Sequence, residues 1–439
     1  MCGRIAQIES LENRTLFAVT VTEAMTPAGS QLQVAGTGSS DKITVLRVDR
    51  GYQITAQAGF TATYRGKYKS LSISTGRGND RVVVSPLVTI PATVSGGAGD
   101  DTLVGGSGDD HLYGNGGKDV IYGEAGNDTL VATGGTTADV LTGGLGADGF
   151  WADQSATERV LDLSKAEANR GALHRVGAFL STAVPQSTLA VGAAPLANLP
   201  DPAVHDADVS YVNYAGHPLF GASGPTANDV QQGDIGDCYL LATLAAVAQT
   251  DPAAIRQTVV DLGDGTYAVR FRRGGNDVYV HVDADLPSWS KNNLAYADFG
   301  ADGSMWAAVI EKAFALYRSD EASYSSIDTG WMTEAFGALG LKSTSYDSAY
   351  AISGKLEEML KQNEAITYAT AEAPAGSNLM SYHAYSVDHV VRNTFGGISA
   401  VVLRNPWGTD GAGSDGSNDG YVTVSLANIA AAFSGVVAA

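Results

Sequence analysis

From Gly96 onward the chain repeats itself every nine residues, and few folds accommodate such a period. GGAGDDTLV, GGSGDDHLY, GNGGKDVIY and GEAGNDTLV follow one another without a gap from Gly96, Gly105, Gly114 and Gly123. After two intervening residues, GGTTADVLT and GGLGADGFW start at Gly134 and Gly143, and a degenerate copy, TGRGNDRVV, starts at Thr75. The sixth place is always aspartate: Asp80, Asp101, Asp110, Asp119, Asp128, Asp139 and Asp148. The eighth is always apolar: Val82, Leu103, Leu112, Ile121, Leu130, Leu141 and Phe150. Glycine permits the left-handed backbone of a tight turn, and the eighth residue then points into a thin core. The period predicts a parallel β-roll over residues 75–151. A disordered Gly/Asp-rich linker would have no reason to keep the eighth place apolar.

Stacked turns of this kind surround a cation with aspartate and backbone carbonyl oxygens, and Ca2+ is the hard ion that takes about six to eight of them. The repeats resemble the RTX, or haemolysin-type, calcium-binding repeat. That resemblance implies Asp101, Asp110, Asp119, Asp128, Asp139 and Asp148 as metal ligands.

Around the repeats the composition changes twice. KITVLRV, YQITAQA, FTATYRG and SLSIST read as strands separated by Gly and Asp, so residues 1–74 are expected to form a separate β-rich region. SATERVLDLSKAEANRGALHRV has helical spacing and is followed by Ala, Pro, Ser and Gly, so residues 152–205 read as a linker with at most one helix. Mixed helix and strand patterns occupy residues 206–439.

In that last region QQGDIGDCYLLATLA holds Cys238, one of two cysteines in the chain. Gly233, Asp234, Gly236 and Asp237 form a turn, and the apolar run that follows reads as a buried helix with the thiol in its first turn. A helix N-terminus favours thiolate, which predicts a lowered thiol pKa. A nucleophilic cysteine needs a base, and the base needs a group to orient it. Of seven histidines, His383 and His389 lie in SYHAYSVDHVV, a strand pattern that places both on one face about 20 Å apart. The next strand, ISAVVLRNPWG, ends at Asn405, where an amide oxygen can hold an imidazole N–H and Trp407 can shield the bond.

QGDIGDCYLLA, HAYSV and LRNPWG, in this order, resemble the active-site motifs of calpain-type, papain-like cysteine peptidases, and the similarity spans roughly residues 211–425. It implies an α+β core of two subdomains, a helical one bearing Cys238 up to about residue 345 and a β-rich one after it. By matching position, Cys238 is the nucleophile, His383 the base and then the acid, and Asn405 its orienter; Gln232 and the Cys238 N–H serve the oxyanion. His389 has no family role. A core calcium site is implied at Asp229, with the carbonyls of Ala222 and Gly224 and the carboxylate of Glu311. Tyr239, Tyr382 and Gly411 depart from the family pattern. Gly411 stands at the place of the second core site's first glutamate, with Asp410, Asp415 and Asp419 as substitutes.

A formal charge of −20 argues against nucleic acid as a partner. No run of 18 apolar residues predicts a membrane span, and the first residues lack the basic start and apolar block of a signal peptide. The sequence thus describes a multidomain chain: an all-β N-terminal region with a parallel β-roll, then a calcium-linked cysteine endopeptidase acting on polypeptides. An extracellular or cell-surface location follows from the repeats, with surface association through the roll. The alternatives are a catalytically silent calcium-binding adhesion protein and an acyl transferase using the same three residues.

Overall fold

Two sheets of eight strands each run side by side through the N-terminal half. The computed structural model describes residues 19–26, 29–133, 138–155, 157–180, 199–221, 223–319, 321–346, 349–411 and 417–439. The chain divides into two units: one holds the repeats and continues to Ala178, and the other contains nearly everything from Asn198 onward.

In the first unit, successive nine-residue copies alternate between the sheets, so each full coil takes two copies. The eighth-place residues therefore stack into two apolar ladders. One runs Ile43, Val82, Leu103, Ile121, Leu141, Val160 across parallel strands. The other runs Val34, Ile73, Val94, Leu112, Leu130, Phe150, Leu173. All but the terminal members, Val160 and Leu173, are buried. Each fully buried rung contributes about 1.5–3 kcal/mol of transfer free energy, and no rung depends on sequence far from its neighbours.

Both ends of the roll lie further out than the repeat motif suggests. The sheets run unbroken across position 74: Gly29–Ala35 pairs with Ser70–Arg77, and Lys42–Val48 pairs with Arg81–Val84. Gly29–Ala35 and Lys42–Val48 thus belong to the same solenoid, and Thr20–Thr26, Gly51–Ala56 and Thr61–Arg65 continue its two sheets as antiparallel strands, so this stretch is not a separate region. They were hidden because their alternating apolar residues keep the register while their turns lack the glycine pattern. Residues 152–176 are likewise not linker. Arg159–Val160 and Leu173–Val176 extend the two sheets, and the helical pattern between them yields only Lys165–Arg170. A full capping box at Ser164 and Glu167 starts that helix, and Gly171 ends it in the left-handed conformation.

The second unit has two apolar cores. The first surrounds the helix Cys238–Thr250 and includes Leu240, Leu244, Trp306 and Phe314, with the helix Trp306–Tyr317 and two three-stranded sheets packed about it. The second lies under a six-stranded antiparallel sheet, in which Ile366–Thr370, Ala384–Arg392, Ile398–Arg404 and Tyr421–Ser425 are neighbours. Residues 199–205, expected as linker, already belong here. Asp201 pairs with the fully buried Lys312 at 2.5 Å, and the His205 N–H donates to the Tyr296 hydroxyl at 2.7 Å.

Hydrogen bonds between the two cores fix the seam. The buried Arg404 guanidinium donates to the Val230 carbonyl at 2.7 Å, the Gln232 N–H to the Pro406 carbonyl at 2.7 Å, and the Gln249 amide to the Asp388 carbonyl at 2.7 Å. The strand that follows His383 also contains a bulge at Asp388, between the pairs Val387–Leu403 and His389–Val402. A bulge shifts alternation by one residue. His389 therefore leaves the face expected for it, and sits exposed against Asp388 at 2.6 Å.

Candidate active site

A cleft of about 700 Å³ opens along this seam, with Gln232, Cys238, His383 and Trp407 in its wall. Cys238 is the first residue of its helix, a free thiol at the cleft. The Asp237 side chain before it makes no capping bond. Burial pushes the thiol up to about 11, even though backbone hydrogen bonds from Ala384 and the helix start favour the thiolate. The lowered pKa expected from the helix N-terminus is not what the structure gives, because desolvation outweighs those donors.

His383 is buried, and its Nε2 lies 2.9 Å from Asn405 Oδ1. The same oxygen accepts the Trp407 N–H at 3.1 Å, so the Asn405 amide is oriented oxygen-first and His383 carries its proton on Nε2. Nδ1 is then the basic nitrogen. The Trp407 ring lies 4.6 Å from the imidazole, centroid to centroid, and covers the pair. Burial lowers the His383 pKa, with the Asn405 bond opposing it. Burial therefore favours the neutral form of both the thiol and the imidazole. Gln232 donates its side-chain N–H to the Ile235 carbonyl at 2.6 Å, which holds the amide at the cleft wall beside Cys238. Tyr382, next to His383, has φ of +55°, a left-handed conformation that costs a side-chain-bearing residue about 1–2 kcal/mol.

Behind the thiol lies a pair that no sequence pattern announced. Asp237 and Glu311 are both buried and in contact, and Glu311 also accepts the Ala297 N–H at 3.0 Å. Burial raises both carboxyl pKa values, and the contact with Asp237 raises Glu311 further. Two members of the expected core calcium set have other partners here. Glu311 faces Asp237, whereas Asp229 caps the Thr226 N–H at 2.7 Å and accepts the Trp306 indole N–H at 3.0 Å. Gly224 sits in a left-handed turn, and Ala222 lies outside the described residues. Among the described residues no three His, Cys, Asp or Glu side chains gather closely enough to hold a metal by themselves. Of the residues weighed for a second core site, Asp410 accepts the Gly420 N–H at 3.0 Å, Asp419 accepts the Tyr421 N–H at 3.1 Å, and Asp415 lies outside the described residues.

In the roll, the sixth-place aspartates form two ladders. Oδ1 of each takes a backbone N–H one coil away: Asp101 from Asp80, Asp119 from Asp101 and Asp139 from Asp119 in one, Asp110 from Ala92, Asp128 from Asp110 and Asp148 from Asp128 in the other, at 2.7–2.9 Å. Oδ2 of Asp80, Asp101, Asp119, Asp128, Asp139 and Asp148 is buried without a partner. Burial, reinforced by neighbouring acids, raises Asp101 to about 7 and Asp128 and Asp139 to about 8. Orphaned carboxylate oxygens beside turn carbonyls suit Ca2+, whose charge would remove both the desolvation and the repulsion. A Cβ on the first glycine of a repeat would fall 2.3 Å from its own aspartate's Oδ2 at Gly96, which is why that place is glycine.

The ladders also reach residues outside the motif list. Asp41 gives its N–H to Asp80 Oδ1 at 2.6 Å, and its signal was present in GTGSSDKIT, a degraded copy with aspartate sixth and isoleucine eighth. At the other end Glu158 and Glu167 take the N–H groups of Asp139 and Asp148 at 3.2 and 3.0 Å. Glutamate on an irregular spacing left no such signal.

A helix-start thiol in the same cleft wall as an imidazole that directly precedes a strand and is held by an amide has the chemical make-up of a thiol hydrolase site. Comparison with known proteins gives the narrower grouping. Residues 211–424 match the calpain family cysteine protease profile, and residues 95–130 and 131–155 the RTX calcium-binding nonapeptide repeat. Calpain-A of Drosophila melanogaster is 31% identical over 219 residues, covering 45% of this chain and 26% of that protein. The calpain-2 catalytic subunit of Gallus gallus is 30% identical over 210 residues, 44% of this chain and 29% of that protein. Calpain-9 of Homo sapiens is 28% identical over 222 residues, 46% and 32% of the two chains. The protein carries a calpain-family cysteine protease domain preceded by RTX calcium-binding repeats. The alignments span about a quarter to a third of the length of these relatives.

Proposed function

We propose that the protein is a calcium-linked cysteine endopeptidase with Cys238, His383 and Asn405 as its catalytic residues. The observation that carries this reading is the 2.9 Å His383–Asn405 bond, shielded by Trp407, in the same cleft wall as the helix-start thiol. As Cys238 Sγ attacks the scissile carbonyl carbon, His383 Nδ1 takes the thiol proton. Asn405 Oδ1 stabilises the imidazolium through Nε2–H. The Cys238 N–H and the Gln232 amide meet the oxyanion. His383 then gives its proton to the leaving amine, and water, deprotonated by His383, releases the acyl group and restores the thiol.

In the roll, Asp101, Asp110, Asp119, Asp128, Asp139 and Asp148 would hold Ca2+, together with turn carbonyls. The ion would supply the positive charge that the aspartate ladders lack, coupling metal binding to folding of the roll. Folding only where calcium is abundant agrees with an extracellular or cell-surface protein. Among the described residues no helix is long and apolar enough to cross a membrane.

Casein hydrolysis by the full chain in millimolar Ca2+, compared with Cys238→Ser, tests the reading. The expected loss is on the order of 10⁴-fold. Absence of hydrolysis by folded, calcium-loaded wild type, against casein and against a peptide library, would leave a silent binding protein. Transfer of the acyl group to an added amine in preference to water would make it an acyl transferase.

A further inference from the structure

One wall of the cleft carries an aromatic ring that folding does not explain. Tyr382 directly precedes His383, lines the cleft and is 74% exposed. Its backbone is pinned by donation of its N–H to the Ala371 carbonyl at 3.0 Å, at φ +55°, where glycine would sit without strain. Among the described residues the phenol has no hydrogen-bond partner and the ring no stacked neighbour. A side chain kept in an unfavourable conformation, mostly exposed and without a hydrogen-bonded or stacked partner, points outward, to what enters the cleft.

The charged side chains in the cleft wall are of one sign. Asp234 and Asp328 line the cleft, which has no Lys or Arg in its wall. Each is anchored through one oxygen: Asp234 accepts the Trp289 indole N–H at 3.1 Å, and Asp328 accepts the Gly236 N–H at 2.8 Å. The second oxygen of each has no protein partner among the described residues. The chain's formal charge of −20 adds a field of the same sign at longer range.

We propose that Tyr382, together with Asp328 and Asp234, is a specificity-determining residue that selects polypeptides with a Lys or Arg side chain beside the scissile bond. The inference rests on the endopeptidase reading and names its substrate class. The aliphatic stem of such a side chain packs on the Tyr382 ring, its cation meets the ring face, and the anchored carboxylates take its N–H groups.

The test uses full-length, calcium-loaded protein and fluorogenic peptides that differ only in Lys, Arg, Leu or Glu at the positions flanking the cleaved bond. Wild type is expected to favour Lys or Arg over Leu by about tenfold in kcat/KM, with Glu poorest. Tyr382→Gly and Asp328→Asn should each reduce that ratio several-fold, mainly through KM for the basic peptide. The Tm of Tyr382→Gly should not fall, because the variant relieves the left-handed strain. Equal cleavage of all peptides by wild type, or an unchanged preference in Tyr382→Gly, would overturn the inference and leave the endopeptidase reading standing. A lowered Tm for Tyr382→Gly would give the ring a folding role and overturn it too. Cleavage of none of the peptides would overturn both readings.

Discussion

The roll and the protease unit bury carboxylates in opposite ways. In the protease unit a buried charge is met from inside the fold: Lys312 lies between Asp201 and Asp283, and Asp237 packs against Glu311. In the roll the aspartates stack on one another and leave one oxygen after another without a partner. The first arrangement answers buried charge from within the fold, although both Asp237 oxygens still lack a hydrogen-bond donor. The second is complete only with a cation, since an unpaired buried charge is costly and like charges raise that cost. One chain therefore holds a region whose stability is its own and a region whose stability belongs to its solvent.

Chelation should separate the two most strongly. Removing Ca2+ with EGTA is expected to melt the roll, with loss of β-type circular dichroism, while a second calorimetric transition from the protease unit persists. Each ion at a hundred times its Kd stabilises by about 2.7 kcal/mol, so several ions outweigh a typical domain's margin. A single transition that shifts as a whole would break the comparison.

Leu112→Ala removes a fully buried rung and should cost about 2–5 kcal/mol, lowering the roll transition alone. The comparison is sharpened if calcium raises that variant's Tm by as much as it raises wild type's.

In the protease unit, Asn405→Ala should lower kcat on the order of 10²-fold without moving either transition by more than a few degrees, because it frees the imidazole to turn. Kinetics and calorimetry on one preparation check both parts.

The smallest effect expected is in the pH profile. Burial lowers the His383 pKa, so His383 stays neutral, and basic, further into acid than a free imidazole does. The acid limb of kcat/KM should have its midpoint below the ordinary value of about 6.5. Between the two pKa values the unfolded chain binds more protons than the folded one, so stability rises with pH there. With the thiol pushed up to about 11, no alkaline loss from thiol ionisation is expected near pH 8 or 9. An alkaline limb near pH 8 or 9, where an imidazolium would lose its proton, would indicate a thiolate–imidazolium pair instead.

The roll was legible because its signal is local. Aspartate sixth and apolar eighth recur every nine residues, and each rung meets its neighbour one coil away. The same rule applied with more tolerance would have found Asp41 and Ile43. It could not have found Glu158 and Glu167, which join the ladders on irregular spacing, or Lys165–Arg170, where a helical pattern serves a short helix between strands. In the protease unit the thiol, the imidazole and the amide were legible as three motifs, each tied to a helix start or a strand end. The Asp237–Glu311 contact, 74 positions apart in sequence, was not legible.

The sequence by itself determined the repeat architecture, its suitability for calcium, and which residues could act as nucleophile, base and orienter. Those follow from residue type and short-range spacing. The tertiary structure alone decided the burial that disfavours the thiolate, the turning away of His389, the placing of Glu311 against Asp237, and the reach of the roll past the motif at both ends. Each of these depends on burial or on register between distant segments. Desolvation and strand pairing are set by what packs against a residue, and that is fixed only when the chain has closed on itself.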